Sequence, residues 1–191
     1  MANNIILDDL LTLTGAAVAP AESVLDKAKD VIRQKVSVDG RVSGAEMEAH
    51  QCATHGLAWM ATYVESLRQM HNWATRLQAD GKFGEVEELI LQIAFGEYLH
   101  HIAGGIPMNQ GEIVRLQELG LGWDALQGFH CPEVQTLMAN GNTQNARTRL
   151  VELMQERAAE ITVGATGLDE ELEMIREQFR RYAVEKVEPF A

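Results

Sequence analysis

Apolar residues recur at three- and four-residue steps along nearly the whole chain, which predicts amphipathic helices from end to end. Pro20 is expected at the first turn of a helix reaching Val36, and Pro132 at the first turn of a short helix through Met138. Ser43-Gly44-Ala45-Glu46 has the form of a capping box, in which the serine hydroxyl accepts an orphan N–H and the glutamate reaches back. From there one long helix is expected as far as Asp80-Gly81, with Leu57, Met60, Val64, Leu67, Ala74 and Leu77 as its apolar stripe. A further helix runs from about Phe83 to Ala103 and stops at Gly104-Gly105. Asn109 to Glu112 offers a second capping-box pattern, opening a helix to Gly120. Thr143 to about Val163 and Leu168 onward complete the series, separated by Gly164-Ala165-Thr166-Gly167. All four prolines are read as helix boundaries.

One segment departs from this period. Val36 to Val42 alternates around Asp39-Gly40, a pattern that fits either a small hairpin or a loop between helices. The fold class is therefore all-α, a helical bundle.

Composition narrows the classes of function. With 191 residues and 46% apolar content the chain can bury a substantial core. No apolar run approaches the ~20 residues of a membrane span. Met1-Ala2-Asn3-Asn4 lacks a basic leader, and Cys52 and Cys131 lie far apart, so a cytoplasmic protein without a disulfide framework is expected. A net charge of −12 repels phosphate backbones and anionic lipid, which disfavours nucleic-acid and membrane partners.

The six histidines raise the question of a metal. Glu97-Tyr98-Leu99-His100 matches half of the Glu-x-x-His pattern of di-iron bundles, but a second copy is missing and Glu48-Ala49-His50 has the wrong spacing. His100 and His101 are expected as partly buried polar residues near a helix end. His50, His55 and His71 do not share a face at ligand spacing, and neither cysteine has a Cys-x-x-Cys partner. Trp59, Met60, Met70 and Trp73 are expected in the core. Gly104-Gly105 reads first as a helix stop, with close approach to a ligand as the other possibility. No residue is assigned a catalytic, cofactor-binding or metal role.

The last helix carries the most information. Leu168, Leu172, Ile175, Phe179, Tyr182 and Phe190 form a stripe that will not face water willingly, so it either docks on the rest of the chain or has its partner elsewhere. Leu168 to Ala183, with two consecutive glutamates and then Ile175-Arg176, followed by Glu185-Lys186-Val187-Glu188-Pro189-Phe190-Ala191, resembles the first helix of the acyl-CoA dehydrogenase superfamily. A looser resemblance covers Leu57 to Leu119. There Met60-Ala61-Thr62, Glu65, Arg68, Asp80-Gly81-Lys82, Glu97, Gly104-Gly105, Glu112 and Arg115 are similar in order to motifs of that superfamily's C-terminal four-helix domain. His101 stands where the family has glutamine, and Ile106-Pro107-Met108-Asn109 replaces its aromatic turn, so no binding role is carried over.

The resemblance implies residues 1–165 as a helical accessory domain resembling the C-terminal bundle, and 166–191 as the first helix of a dehydrogenase body whose catalytic glutamate and FAD site lie outside this chain. It further implies FAD, an acyl-CoA substrate and electron-transfer flavoprotein for the parent enzyme, with none expected to bind this chain alone. Partners would be the remaining dehydrogenase polypeptide and further copies in a homo-oligomer. Two other readings are a free-standing helical interaction or oligomerisation module and a ferritin-like metal protein.

Overall fold

The computed structural model describes residues 5–157 and 164–190. The N-terminal tetrapeptide read above and the stretch up to Val163 of the predicted Thr143–Val163 helix fall partly or wholly outside them. Seven helices are present among the described residues: α1 (Leu10–Val36), α2 (Gly44–Ala49), α3 (Gln51–Ala79), α4 (Glu85–Gly104), α5 (Pro132–Asn140), α6 (Gln144–Glu156) and α7 (Glu170–Lys186). Two small hairpins interrupt them, β1–β2 (Ser37–Val38, Arg41–Val42) and β3–β4 (Ile106–Asn109, Glu112–Val114). The all-α expectation holds.

The core forms where α1, α3, α4 and α5 meet. From α1 come Leu10, Ala17, Ala21, Val24, Leu25 and Ala28, and from α3 Met60, Val64, Leu67 and Ala74. The α4 helix is buried on several sides, with Leu91, Phe95, Leu99 and Ile102 in the main core and Val86 and Leu89 in a second cluster with Ala146 and Leu153 of α6. Such all-round burial is what an apolar helix without a polar face requires.

Three sequence expectations are corrected. The helix expected to start at Pro20 begins at Leu10 and carries Pro20 in its interior. An interior proline costs about 3 kcal/mol. Burial on both sides, by Leu10, Thr14 and Ala17 before it and Ala21, Val24 and Ile32 after it, offsets that loss. The long helix expected from Ser43 is divided at His50 (φ −115°, ψ 29°) into α2 and α3, although Ser43 Oγ does accept the Glu46 N–H at 3.3 Å.

The helix expected after Asn109 is instead a hairpin. Asn109 Oδ1 accepts from Gly111 N–H at 2.9 Å and its Nδ2 donates to Glu112 Oε2 at 3.0 Å. The polar groups read as a helix cap thus close a turn, and Ile106 pairs with Val114 with both side chains in the core. Pro107 accordingly lies in a strand, and Pro189 in a 3-10 turn, Glu188–Phe190.

At the first hairpin the structure settles the open choice. Asp39 (φ 50°) and Gly40 (φ 75°) take the two positive φ values a tight two-residue turn needs, and Ser37 pairs with Val42. The predicted glycine stop at Asp80-Gly81 operates. The Lys82 N–H reaches Leu77 O and the Gly81 N–H reaches Gln78 O, the paired bonds of a glycine-terminated helix. Thr143 Oγ1 caps α6 and Asp169 Oδ1 caps α7.

Candidate functional site

Glu97 and His100, the pair that prompted the metal reading, are not brought together. Glu97 Oε1 lies 3.0 Å from His101 Nε2, one helical turn along α4, and Oε2 accepts from Asn142 Nδ2 in the turn between α5 and α6. His100 is exposed, its Nδ1 2.8 Å from Gly96 O. Asn142 in turn receives Arg147 Nη1 at 2.6 Å on Oδ1 and 2.9 Å on its backbone carbonyl. Tyr63 of α3 stacks on Tyr98 (centroids 4.4 Å, 28° between planes) and lies 5.7 Å from the His101 ring. Burial, with Tyr98 and Glu97 close by, pushes the Tyr63 phenol up from its ordinary value.

The network of Tyr63, Tyr98, Glu97, His101 and Asn142 was not visible in the sequence. Its members come from α3, α4 and the α5–α6 turn, and no local motif marks them. Its polar atoms are mostly committed to each other; His101 Nδ1 is buried without a hydrogen-bond partner among the described residues.

Three of the other four histidines occupy separate surroundings, and the fourth, His130, lies edge-on to Phe129. His50 Nε2 is 3.9 Å from Glu46 Oε2 at the α2–α3 junction. His55 Nε2 accepts from Trp59 Nε1 at 3.0 Å. His71 Nδ1 is 3.1 Å from Thr14 Oγ1, and burial lowers its pKa. Cys52 is exposed and Cys131 half-buried, both as free thiols. Among the described residues no three His, Cys, Asp or Glu side chains lie close enough to hold one metal ion. Met60 lies in the core as expected, and Trp59, Met70 and Trp73 pack against it half-buried.

Gly105 ends α4 with φ 134° and donates its N–H to His101 O at 2.8 Å. A Cβ there would lie 2.7 Å from Ile113 Cγ2 and 3.3 Å from Arg115 Cγ. The space on that side of Gly105 is thus filled by Ile113 of the β3–β4 hairpin and by Arg115, whereas beside Gly104 it is open. A groove of about 490 Å³ beside the start of α1 is lined by Asp8, Asp9 and Glu88 among others, carboxylates that oppose a pyrophosphate.

Among the described residues, α7 is the long helix that buries none of its side chains. Leu168, Leu172, Ile175, Phe179 (72% exposed), Tyr182 and Phe190 (86% exposed) all face solvent along one seam spaced four, three, four and three residues as far as Tyr182. That spacing suits packing into a neighbouring helix. Its first turn is acidic and Lys186 lies in its last turn, so the helix is electrostatically well formed without tertiary support. Among the described helices, none is long and apolar enough to cross a membrane.

No protein-family model matches the chain. It is 51% identical over all 191 residues to (2S)-methylsuccinyl-CoA dehydrogenase of Cereibacter sphaeroides and spans 34% of that protein's length. Over its whole length the chain is thus similar to about a third of an acyl-CoA dehydrogenase.

Proposed function

We propose that residues 1–165 are a helical accessory domain of an FAD-dependent acyl-CoA dehydrogenase, packed on the catalytic body or at a subunit interface, and that 166–191 form the first helix of that body. The observation that carries this reading is α7, whose whole apolar seam faces solvent although each such side chain gains roughly 1.5–3 kcal/mol on burial. The relative to which it is 51% identical is about three times as long, which supports further polypeptide as the cover of the seam.

In this reading the active site is held by residues beyond these 191, and FAD, an acyl-CoA such as methylsuccinyl-CoA, and electron-transfer flavoprotein belong to the parent. The parent is a cytoplasmic homo-oligomer. Deleting residues 1–165 from the parent tests the proposal: altered assembly or substrate range is expected, and an enzyme unchanged in both overturns it. In a second test, added FAD leaves the melting temperature of this chain alone unchanged, whereas a rise would place a flavin site within it.

A further inference from the structure

Residue 165 joins the bundle to α7, and both of its backbone groups are held by side chains of the bundle. Its N–H donates to Glu87 Oε1 at 2.7 Å, and its carbonyl accepts from Trp73 Nε1 at 3.1 Å. Glu87 is only 5% exposed, and its other oxygen accepts from Gly84 N–H at 3.1 Å at the start of α4. A carboxylate so buried in the first turn of a helix is stabilised by these N–H donors and by the helix dipole.

The residues on either side are shaped to the same contact. Gly164 (φ 82°) and Gly167 (φ 69°) adopt backbone conformations that disfavour other side chains. A Cβ on Gly164 would lie 3.1 Å from Glu87 Oε1, and one on Gly167 would lie 2.9 Å from Trp73 Cδ1. The link continues into α7. Thr166 Oγ1 donates to Glu173 Oε1 in the first turn of that helix, and Glu173 Oε2 also accepts from Arg176 Nε at 2.7 Å.

We infer that Glu87 and Trp73 form a two-point clamp on Ala165 that fixes the direction in which α7 leaves the bundle. Together with the Thr166–Glu173 bond, the clamp makes bundle and helix one body instead of two units on a tether. Anything that docks on α7 is then held at a set orientation to the bundle. The inference does not depend on what docks there, so it stands or falls separately from the accessory-domain proposal.

The test uses the full chain with Cys52 and Cys131 replaced by serine and spin labels at Ala58→Cys on α3 and Gln178→Cys on α7, both exposed positions. The expected inter-label distance distribution is narrow in the parent sequence and broad in Glu87→Ala and in Trp73→Phe. Glu87→Gln, which keeps an acceptor oxygen, stays close to the parent. Exchange of the Ala165 amide hydrogen should accelerate about tenfold or more in Glu87→Ala. Because Glu87→Ala also removes a cap of α4, Trp73→Phe provides the variant that leaves that cap intact. A distribution already broad in the parent sequence, or one left narrow by both variants, overturns the clamp.

Discussion

Gln92 Oε1 accepts the backbone N–H of Leu7 at 3.0 Å, fastening the middle of α4 to the segment that leads into α1. The same amide donates through Nε2 to Ile5 O at 2.9 Å and Gly141 O at 3.4 Å. The fully buried Gln92 is therefore satisfied by three backbone groups, two from the segment before α1 and one from the turn after α5.

Replacing Gln92 by leucine removes the partner of all three groups, of which Gly141 O is the most deeply buried. A loss of about 2–3 kcal/mol is expected from the unpaired N–H and C=O groups. Urea unfolding followed by circular dichroism would read it, and an unchanged midpoint would show that water reaches these groups.

Gly96 lets α4 approach the end of α5. A Cβ at this position would lie 2.7 Å from Asn142 N and 3.0 Å from Leu137 O, both backbone atoms that cannot rotate away. Alanine ordinarily favours a helix over glycine by about 1 kcal/mol. Here Gly96→Ala is expected to destabilise by about 1–3 kcal/mol through overpacking. A stabilised variant in the same unfolding assay would mean the α4–α5 contact is looser than described.

His71 makes stability fall at mildly acidic pH. Its pKa is lowered by burial against Gly15 and Thr14, so the neutral ring is the form the fold prefers. The stabilising contribution is full above the unfolded-state value near 6.5 and declines as pH drops from there through the lower folded-state value. Melting temperatures at pH 7.5 and 5.5 should diverge more in the parent sequence than in His71→Gln. Equal shifts in both would assign the pH dependence to other groups.

Arg149 of α6 grips Glu85 at the start of α4 with two bonds, Nε to Oε1 at 2.7 Å and Nη2 to Oε2 at 2.9 Å. The Arg149 hydrogen bond holds the Glu85 carboxyl below its usual range. The pair's contribution is present above the unfolded carboxylate pKa and is lost as pH falls through the lower folded value. Arg149→Ala should lower the melting temperature slightly at pH 7, with the gap closing as the buffer approaches pH 3. A gap that persists in acid would show that packing of the arginine stem matters more than its charge.

Phe179 separates folding from docking. In this chain its side chain faces solvent, so Phe179→Asp should change stability by less than about 0.5 kcal/mol. Leu67→Ala, in the centre of the core, should cost about 2–5 kcal/mol. In the full-length parent Phe179→Asp should instead impair assembly or activity. A large stability loss in the isolated chain would mean that α7 folds back onto the bundle in solution.

Much of this protein was written locally in its sequence. The all-helical class, the stripe of α3, the glycine stop at Gly81, the caps at Ser43, Thr143 and Asp169, and the amphipathic α7 each depend on residues within two turns of one another. The superfamily resemblance was legible for the same reason, because it rests on contiguous patterns such as Leu168 to Ala183. Pro20 inside α1 and the Asn109 hairpin were decided by distant partners: burial across the bundle outweighed a local helix-breaking cost, and pairing of Ile106 with Val114 outweighed a local helix signal. The Glu97–His101–Asn142 network and the hold of Glu87 and Trp73 on Ala165 join positions up to 92 residues apart. Only packing brings such groups within hydrogen-bonding reach, so no local pattern could have announced them.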